Sequence, residues 1–391
     1  MKCWKAIQCG GVLLAVAGYW AVAQQGYTAA AVPQAAAASA ALRSHARFAA
    51  AIEESRSVAQ EIQQRGIPGM AVGVAVEGEI VWAEGFGRAD LEHNVPATAA
   101  TRFRIGSISK PLTAAALALL VEEGKLDVDA PVQQYVAGFP VKEKPISTRM
   151  LAGHLAGIRH YKGDEFLNAK ACASVGEGLA IFAPDPLLHP PLTKYAYSSY
   201  GWNLISAVLE GAAKQEFLAL MDERVFRRLG MSRTTADWNG RIIEGRTRFY
   251  SARQAAGGAA GGVVSNGPYV DNSCKWAGGG FLSTVEDLVR FASAHLGDGF
   301  LKPKTRELLF TSQHTADGAA TGYGVGWQIG KDSAGRLTYS HGGGSIGGTS
   351  QLMLWPEQRV AVAVLSNLTS APYRAADVYR IAEPYLKRSA Q

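Results

Sequence analysis

Apolar positions change their spacing along this chain, and each change marks an element. Residues 45 to 64 mix charged and small apolar residues on a helical period and stop at Arg65-Gly66. From Pro68 the period becomes two. Gly69-Met-Ala-Val-Gly-Val-Ala-Val76, a Glu77-Gly78 turn and Glu79-Ile-Val-Trp-Ala-Glu-Gly85 form a β-hairpin pattern. The stretch Ser107 to Gly124 is dense in strong helix formers with an apolar stripe. Pro111 is tolerated in a first helical turn, which fixes the start near Ser107, and Gly124 is the stop. Helices are expected at 147–158, 199–212 and 214–228, then at 283–296 beyond a glycine-rich stretch, 257–262. The period returns to two at 337–341, 349–354 and 360–365, before a last helix at 371–386. Strands thus stand at both ends and helices in the middle. The pattern predicts an α+β fold: an antiparallel sheet flanked by helices, with a mostly helical lobe, about 111–270, inserted in it.

Composition narrows the class. The chain has 391 residues, 48% hydrophobic and 18% charged, with 44 glycines for tight turns. That is ample for a substantial core. The net charge is +6, but the basic residues are scattered, and Arg227-Arg228 is no nucleic-acid footprint. No H-E-x-x-H or paired-histidine spacing suggests a metal, and no cofactor motif stands out.

Residues 1–23 carry a targeting pattern. Lys2 and Lys5 precede an apolar run from Cys9 that ends in Ala21-Val22-Ala23, an A-x-A cleavage signature. The segment is either a cleaved signal peptide or a retained anchor, and the chain is expected to be exported, in the periplasm. Residues 24–44, rich in alanine, form a tether to a domain at 45–391. Cys172 and Cys274 remain in that domain, either bonded or as two separate buried thiols.

The chemistry starts at Ser107-Ile-Ser-Lys110, the single S-x-x-K of the chain. Three residues apart at a helix start, Ser107 and Lys110 share a face, and an amine is brought to a weak hydroxyl nucleophile. Tyr197-Ser198-Ser199 sits at a loop or helix start. His341-Gly342-Gly343-Gly344 ends a short strand. A rival, Gly343-Gly-Ser-Ile-Gly347, fits the G-x-S-x-G nucleophile elbow. That elbow must lead into a helix, whereas a strand pattern follows here. His154 and His160 are expected to pack or hydrogen-bond structurally.

The order S-x-x-K, Y-x-[NS], [KH]-x-G resembles the serine β-lactamase and penicillin-binding-protein superfamily, in its class C branch with the esterase and peptidase relatives. The stretches Arg104–Thr113, Gly124–Val132, His154–Tyr161 and Pro268–Thr284 are similar to the mitochondrial serine β-lactamase-like branch. The resemblance implies Ser107 as the nucleophile of an acyl-enzyme. It implies Lys110 as its proton acceptor and Tyr197 as general base and then acid, with Lys110 favouring tyrosinate. His341 stands at the position of a lysine cation. Backbone N–H groups of Ser107 and Gly344 form the oxyanion hole, and Ser199, Gly342 and Gly343 contact substrate. Two departures, Ser199 for asparagine and His341 for lysine, weaken the grip on an anionic β-lactam. The expected function is therefore a peptidase or esterase acting on a small or peptide substrate. A class C-type β-lactamase, a D-Ala-D-Ala carboxypeptidase and a scaffold reusing the fold are the alternatives. Membrane association through the N-terminus and self-assembly stay open.

Overall fold

The run Gly69–Val76 is buried along its whole length, and its alternation sorts side chains by size. Met70, Val72, Val74 and Val76 join a core with the helices Ala49–Gln63 and Ala375–Leu386, while Ala71 and Ala75 face the opposite core. On that second side a Cβ at Gly73 would lie 2.9 Å from Val285, at the start of the helix Val285–Ala294. The small residues let this helix sit close to the sheet. Val360, Val362 and Val364 repeat the large side one strand over, with Ala361 and Ala363 on the small side. Such strands, covered on both faces, read as continuous apolar runs.

A computed structural model describes residues 42–44, 46–253 and 263–387. In chain order its strands are β1 (Leu42–Ser44), β2 (Gly69–Val76), β3 (Glu79–Asp90), β4 (Val95–Pro96), β5 (Phe103–Arg104), β6 (Thr235–Ala236), β7 (Tyr250–Arg253), β8 (Val263–Asn266), β9 (Phe281–Ser283), β10 (Gln328–Lys331), β11 (Leu337–Ser345), β12 (Gly348–Trp355) and β13 (Val360–Ser366). The main sheet runs β1-β3-β2-β13-β12-β11-β10, antiparallel throughout, with β4 on β3. Chain ends meet in it, as the pattern predicts, because β2 pairs with β13. The hairpin turn forms as expected, with Glu77 and Gly78 at φ 55° and 85°.

Several expectations change. Residues 42–44, expected as tether, pair with β3 as an edge strand. The expected helix 147–158 stops at Ala152, and His154 takes a left-handed φ of 61°. The middle of the chain also holds strands, the short sheet β5-β9-β6 and the hairpin β7-β8. The strand expected at 337–341 runs on through the motif His341–Gly344 to Ser345. The targeting segment 1–23, most of the tether and the glycine-rich 257–262 lie outside the described residues. Among the described residues no helix is long and apolar enough to cross a membrane.

Candidate active site

The nucleophile turn is built by close backbone contact. After β5 the chain makes a tight turn, Gly106–Ile108, and enters the helix Ser109–Glu122. Gly106 has φ 48°, and a Cβ there would sit 2.6 Å from the Gly344 carbonyl oxygen. Glycine at 106 therefore lets the turn press on β11. On β11 itself a Cβ at Gly343 would lie 2.0 Å from the Ile105 carbonyl and 2.2 Å from Ser350 Oγ. Next to it, Gly344 is exposed and a Cβ would meet open space. Strand β10 pairs with β11 only from Leu337 to Ser340. Among the described residues, 341–345 thus have no strand partner on that side, and the turn carrying Ser107 packs on the face of β11 and β12.

The helix Ser109–Glu122 is buried on all sides as far as Leu120, and Lys110 is fully buried with it. Its Nζ lies 2.9 Å from Ser107 Oγ, 3.0 Å from Ser199 Oγ and 2.7 Å from the Gly278 carbonyl oxygen. Burial pushes the amine well below the usual lysine range. A neutral amine keeps two N–H donors for Gly278 and Ser199 and a lone pair for the Ser107 hydroxyl proton.

Ser198 caps the helix Ser199–Ala213, its Oγ accepting from Gly201 N at 3.0 Å, and so sets Tyr197 just outside the helix. Two histidines hold this entry. His154 Nδ1 accepts from Ser198 N and His160 Nδ1 from Ser199 N, both at 3.1 Å. Their rings pack on Tyr197 at 4.3 and 5.5 Å. The structural role expected for both is what the geometry gives. Lys110 Nζ stands 4.8 Å from the Tyr197 ring centroid, and the phenol interacts with the Ser107 and Ser199 hydroxyls. The expected tyrosinate is corrected here. Burial raises Tyr197 far above 10 and outweighs the opposing hydrogen bonds with Ser107 and Ser199.

His341 is corrected in the same way. Its side chain is 2% exposed. Nδ1 lies 2.6 Å from the Gly342 carbonyl oxygen and must donate, so Nε2 accepts from the Tyr323 hydroxyl at 2.8 Å. Burial lowers its pKa to about 3. It is a neutral, doubly bonded group and not a cation facing substrate.

A cavity of about 250 Å³ opens at Ser107, lined also by His160, Ser199, Lys275, Gly344 and Ser345. Ser345 pairs with Gly348 across a β-turn, so the G-x-S-x-G match is a hairpin and not an elbow. Cys172 and Cys274 are bonded, which closes the choice left open by the sequence. The bond ties the segment after Phe166 to the turn that leads into Gly278. The Gly278 carbonyl and Tyr323 escaped the sequence reading. The first is a backbone group, signalled at most by the glycine triplet 278–280. The second lies in a loop with no motif.

A family model described as Beta-lactamase matches residues 49–386. The chain belongs to the beta-lactamase family. Among its relatives, the mitochondrial serine beta-lactamase-like protein LACTB of Homo sapiens is 33% identical, over 80% of this chain and 73% of that protein. Penicillin-binding protein 4* of Bacillus subtilis is 25% identical, over 79% and 71%. Among solved structures, an octameric penicillin-binding protein homologue from Pyrococcus abyssi aligns with a TM-score of 0.72 at 25% identity, covering 85% of this chain and 77% of that one. A D-amino acid amidase from Ochrobactrum anthropi aligns at 0.75 and 21% identity, over 87% and 100%. The beta-lactamase and penicillin-binding-protein fold is thus established, and with the family comes hydrolase activity.

Proposed function

We propose that this beta-lactamase family hydrolase acts through an acyl-enzyme on Ser107, on short acyl esters or peptides. The observation that carries the reading is a fully buried lysine, Lys110, with Nζ 2.9 Å from Ser107 Oγ. A cation would be costly there, whereas a neutral amine is a base already in place. Ser107 Oγ attacks the substrate carbonyl and its proton passes to Lys110 Nζ. The carbonyl oxygen takes the negative charge between the backbone N–H groups of Ser107 and Gly344. Tyr197, protonated, gives its proton to the leaving group and recovers one from Lys110. Water then repeats the sequence to release the acid. Ser199 positions Lys110, and Gly342 and Gly343 shape the strand edge along which substrate lies. His341 takes a different role from the one its motif implies: it orients Tyr323 and the strand, and contributes no positive charge. That favours neutral esters and peptides over the carboxylate of a β-lactam. Export through residues 1–23, and a catalytic domain at 45–391 with its helical lobe at about 111–270, complete the proposal. The mitochondrial address belongs to the human relative.

The test compares kcat/KM for nitrocefin and for p-nitrophenyl acetate. The ester is expected to be the better substrate. Nitrocefin turnover equal to or above it would favour a β-lactamase.

A further inference from the structure

Three histidines and two catalytic groups near the cleft are uncharged for reasons of burial, and this leaves one conspicuous cation. Lys275 lines the same cavity as Ser107. It is 7% exposed, and among the described residues it has no carboxylate within 4.0 Å. Its Nζ donates to the Phe166 carbonyl oxygen at 3.2 Å. It stands 5.5 Å from the Tyr161 ring centroid and 5.2 Å from that of Phe166, and both rings also line the cavity. Burial lowers its pKa to about 8, which leaves it protonated at neutral pH. Asp271 and Asp237 support its charge only from beyond 4.0 Å, and the carboxylates nearby have closer hydrogen-bond partners. Asp237 bonds Arg104 at 2.6 Å and Asn272 at 2.9 Å, Asp271 bonds the Ser273 backbone N–H at 2.8 Å, and Glu165 bonds Arg159 at 2.7 Å. The backbone beneath Lys275 is fixed by the Cys172–Cys274 bond and by Asn203 Nδ2 donating to the Cys274 carbonyl at 2.9 Å.

A buried ammonium held by one carbonyl and two ring faces is under-satisfied, with three N–H donors to place. An anion entering the cavity would relieve that. Tyr197, the group that protonates the leaving group, does not itself line the cavity, although His160 and Ser199 beside it do. Its volume, about 250 Å³, has room for roughly eight non-hydrogen atoms, at about 30 Å³ per water-sized group. We propose that the cavity takes the acyl side of the scissile bond, that Lys275 is a specificity-determining residue, and that the preferred acyl group is a short chain whose terminal carboxylate reaches Lys275 Nζ across the cavity, past Tyr161 and Phe166. The inference rests on the assignment of Ser107 as nucleophile.

Mono-p-nitrophenyl adipate and p-nitrophenyl hexanoate test it. They share leaving group and chain length and differ in the terminal carboxylate. The wild type is expected to have the higher kcat/KM on adipate. In Lys275→Met the adipate-to-hexanoate ratio should fall by roughly ten- to a hundredfold, the range of one charge-assisted hydrogen bond. A wild type that prefers hexanoate overturns the proposal, and so does an unchanged ratio in the variant. Should Lys275→Met fail to fold, the wild-type ratio alone decides. Failure of the underlying assignment looks different: Ser107→Ala would then retain activity on both esters.

Discussion

Adding a single methyl at Gly343 should separate folding from catalysis. The Cβ of Gly343→Ala would fall 2.0 Å from the Ile105 carbonyl oxygen and 2.2 Å from Ser350 Oγ, where ordinary contact begins at 3.4 Å. Ser350 Oγ also donates to that carbonyl at 2.8 Å, so the methyl enters an occupied space between β11 and the turn carrying Ser107. Strand and turn must part by about 1 Å or more. Oxyanion donors act at about 2.7–3.1 Å, and the Gly344 N–H, one residue on and proposed as such a donor, would leave that range. Loss of one such donor costs roughly 10²–10³ in kcat, about 2.7–4 kcal/mol of transition-state stabilisation. Overpacking itself costs about 1–3 kcal/mol of stability, within what a domain of this size tolerates. The assay is kcat and KM for p-nitrophenyl acetate, with thermal unfolding alongside. The expected result is a folded protein with KM little changed and kcat down by that factor. Ser350→Ala should not rescue it, because the closer contact is with backbone. Gly344→Ala is the comparison: its methyl meets open space, so Tm should hold and kcat should fall far less. Wild-type kcat in Gly343→Ala, or the same loss in both variants, would refute the reasoning.

Other outcomes follow from the same geometry. Because burial lowers Lys110 and the base is its neutral form, kcat/KM should persist through neutral pH and fall as pH drops through that lowered value. Tyr197, raised above 10, should produce no alkaline decline up to pH 10; an acid limb near the ordinary lysine pKa of about 10.5 would contradict this. His341→Lys should not create a preference for nitrocefin. It strands the Tyr323 hydroxyl and buries a cation, so Tm should drop with a loss of about 2–4 kcal/mol, and a stable variant with improved nitrocefin turnover would count against the neutral assignment. Replacing Cys172 and Cys274 together by alanine opens a loop of 102 residues and should lower Tm by roughly 5–15 °C; an unchanged Tm speaks against the bond.

What the sequence disclosed, and what it hid, follows from the kind of signal each feature leaves. Gly69–Val76 and Val360–Ser366 were legible because both faces are buried and the large-small alternation is written in the residues. Ser107 and Lys110 were legible because their spacing is itself the chemistry, Tyr197 through the motif order shared with the family, and the structure brings all three together. β5 and β6 span two residues each, too short to show a period. The helix expected through 158 fails at His154, whose positive φ serves its bond to Ser198, a long-range demand with no local trace. The charge states of Tyr197 and His341 depend on burial, which a motif does not carry. Lys275 lies within the stretch Pro268–Thr284, yet its place in the cavity is set by the Phe166 segment, 109 residues away.

The most direct test of the account is where a covalent label lands. The protein is incubated with a fluorophosphonate, its intact mass is read, and the modified peptide is mapped. The account predicts one adduct, on Ser107, absent in Ser107→Ala and strongly slowed in Lys110→Met. An adduct on Ser345, or equal labelling of Ser107→Ala, would contradict it.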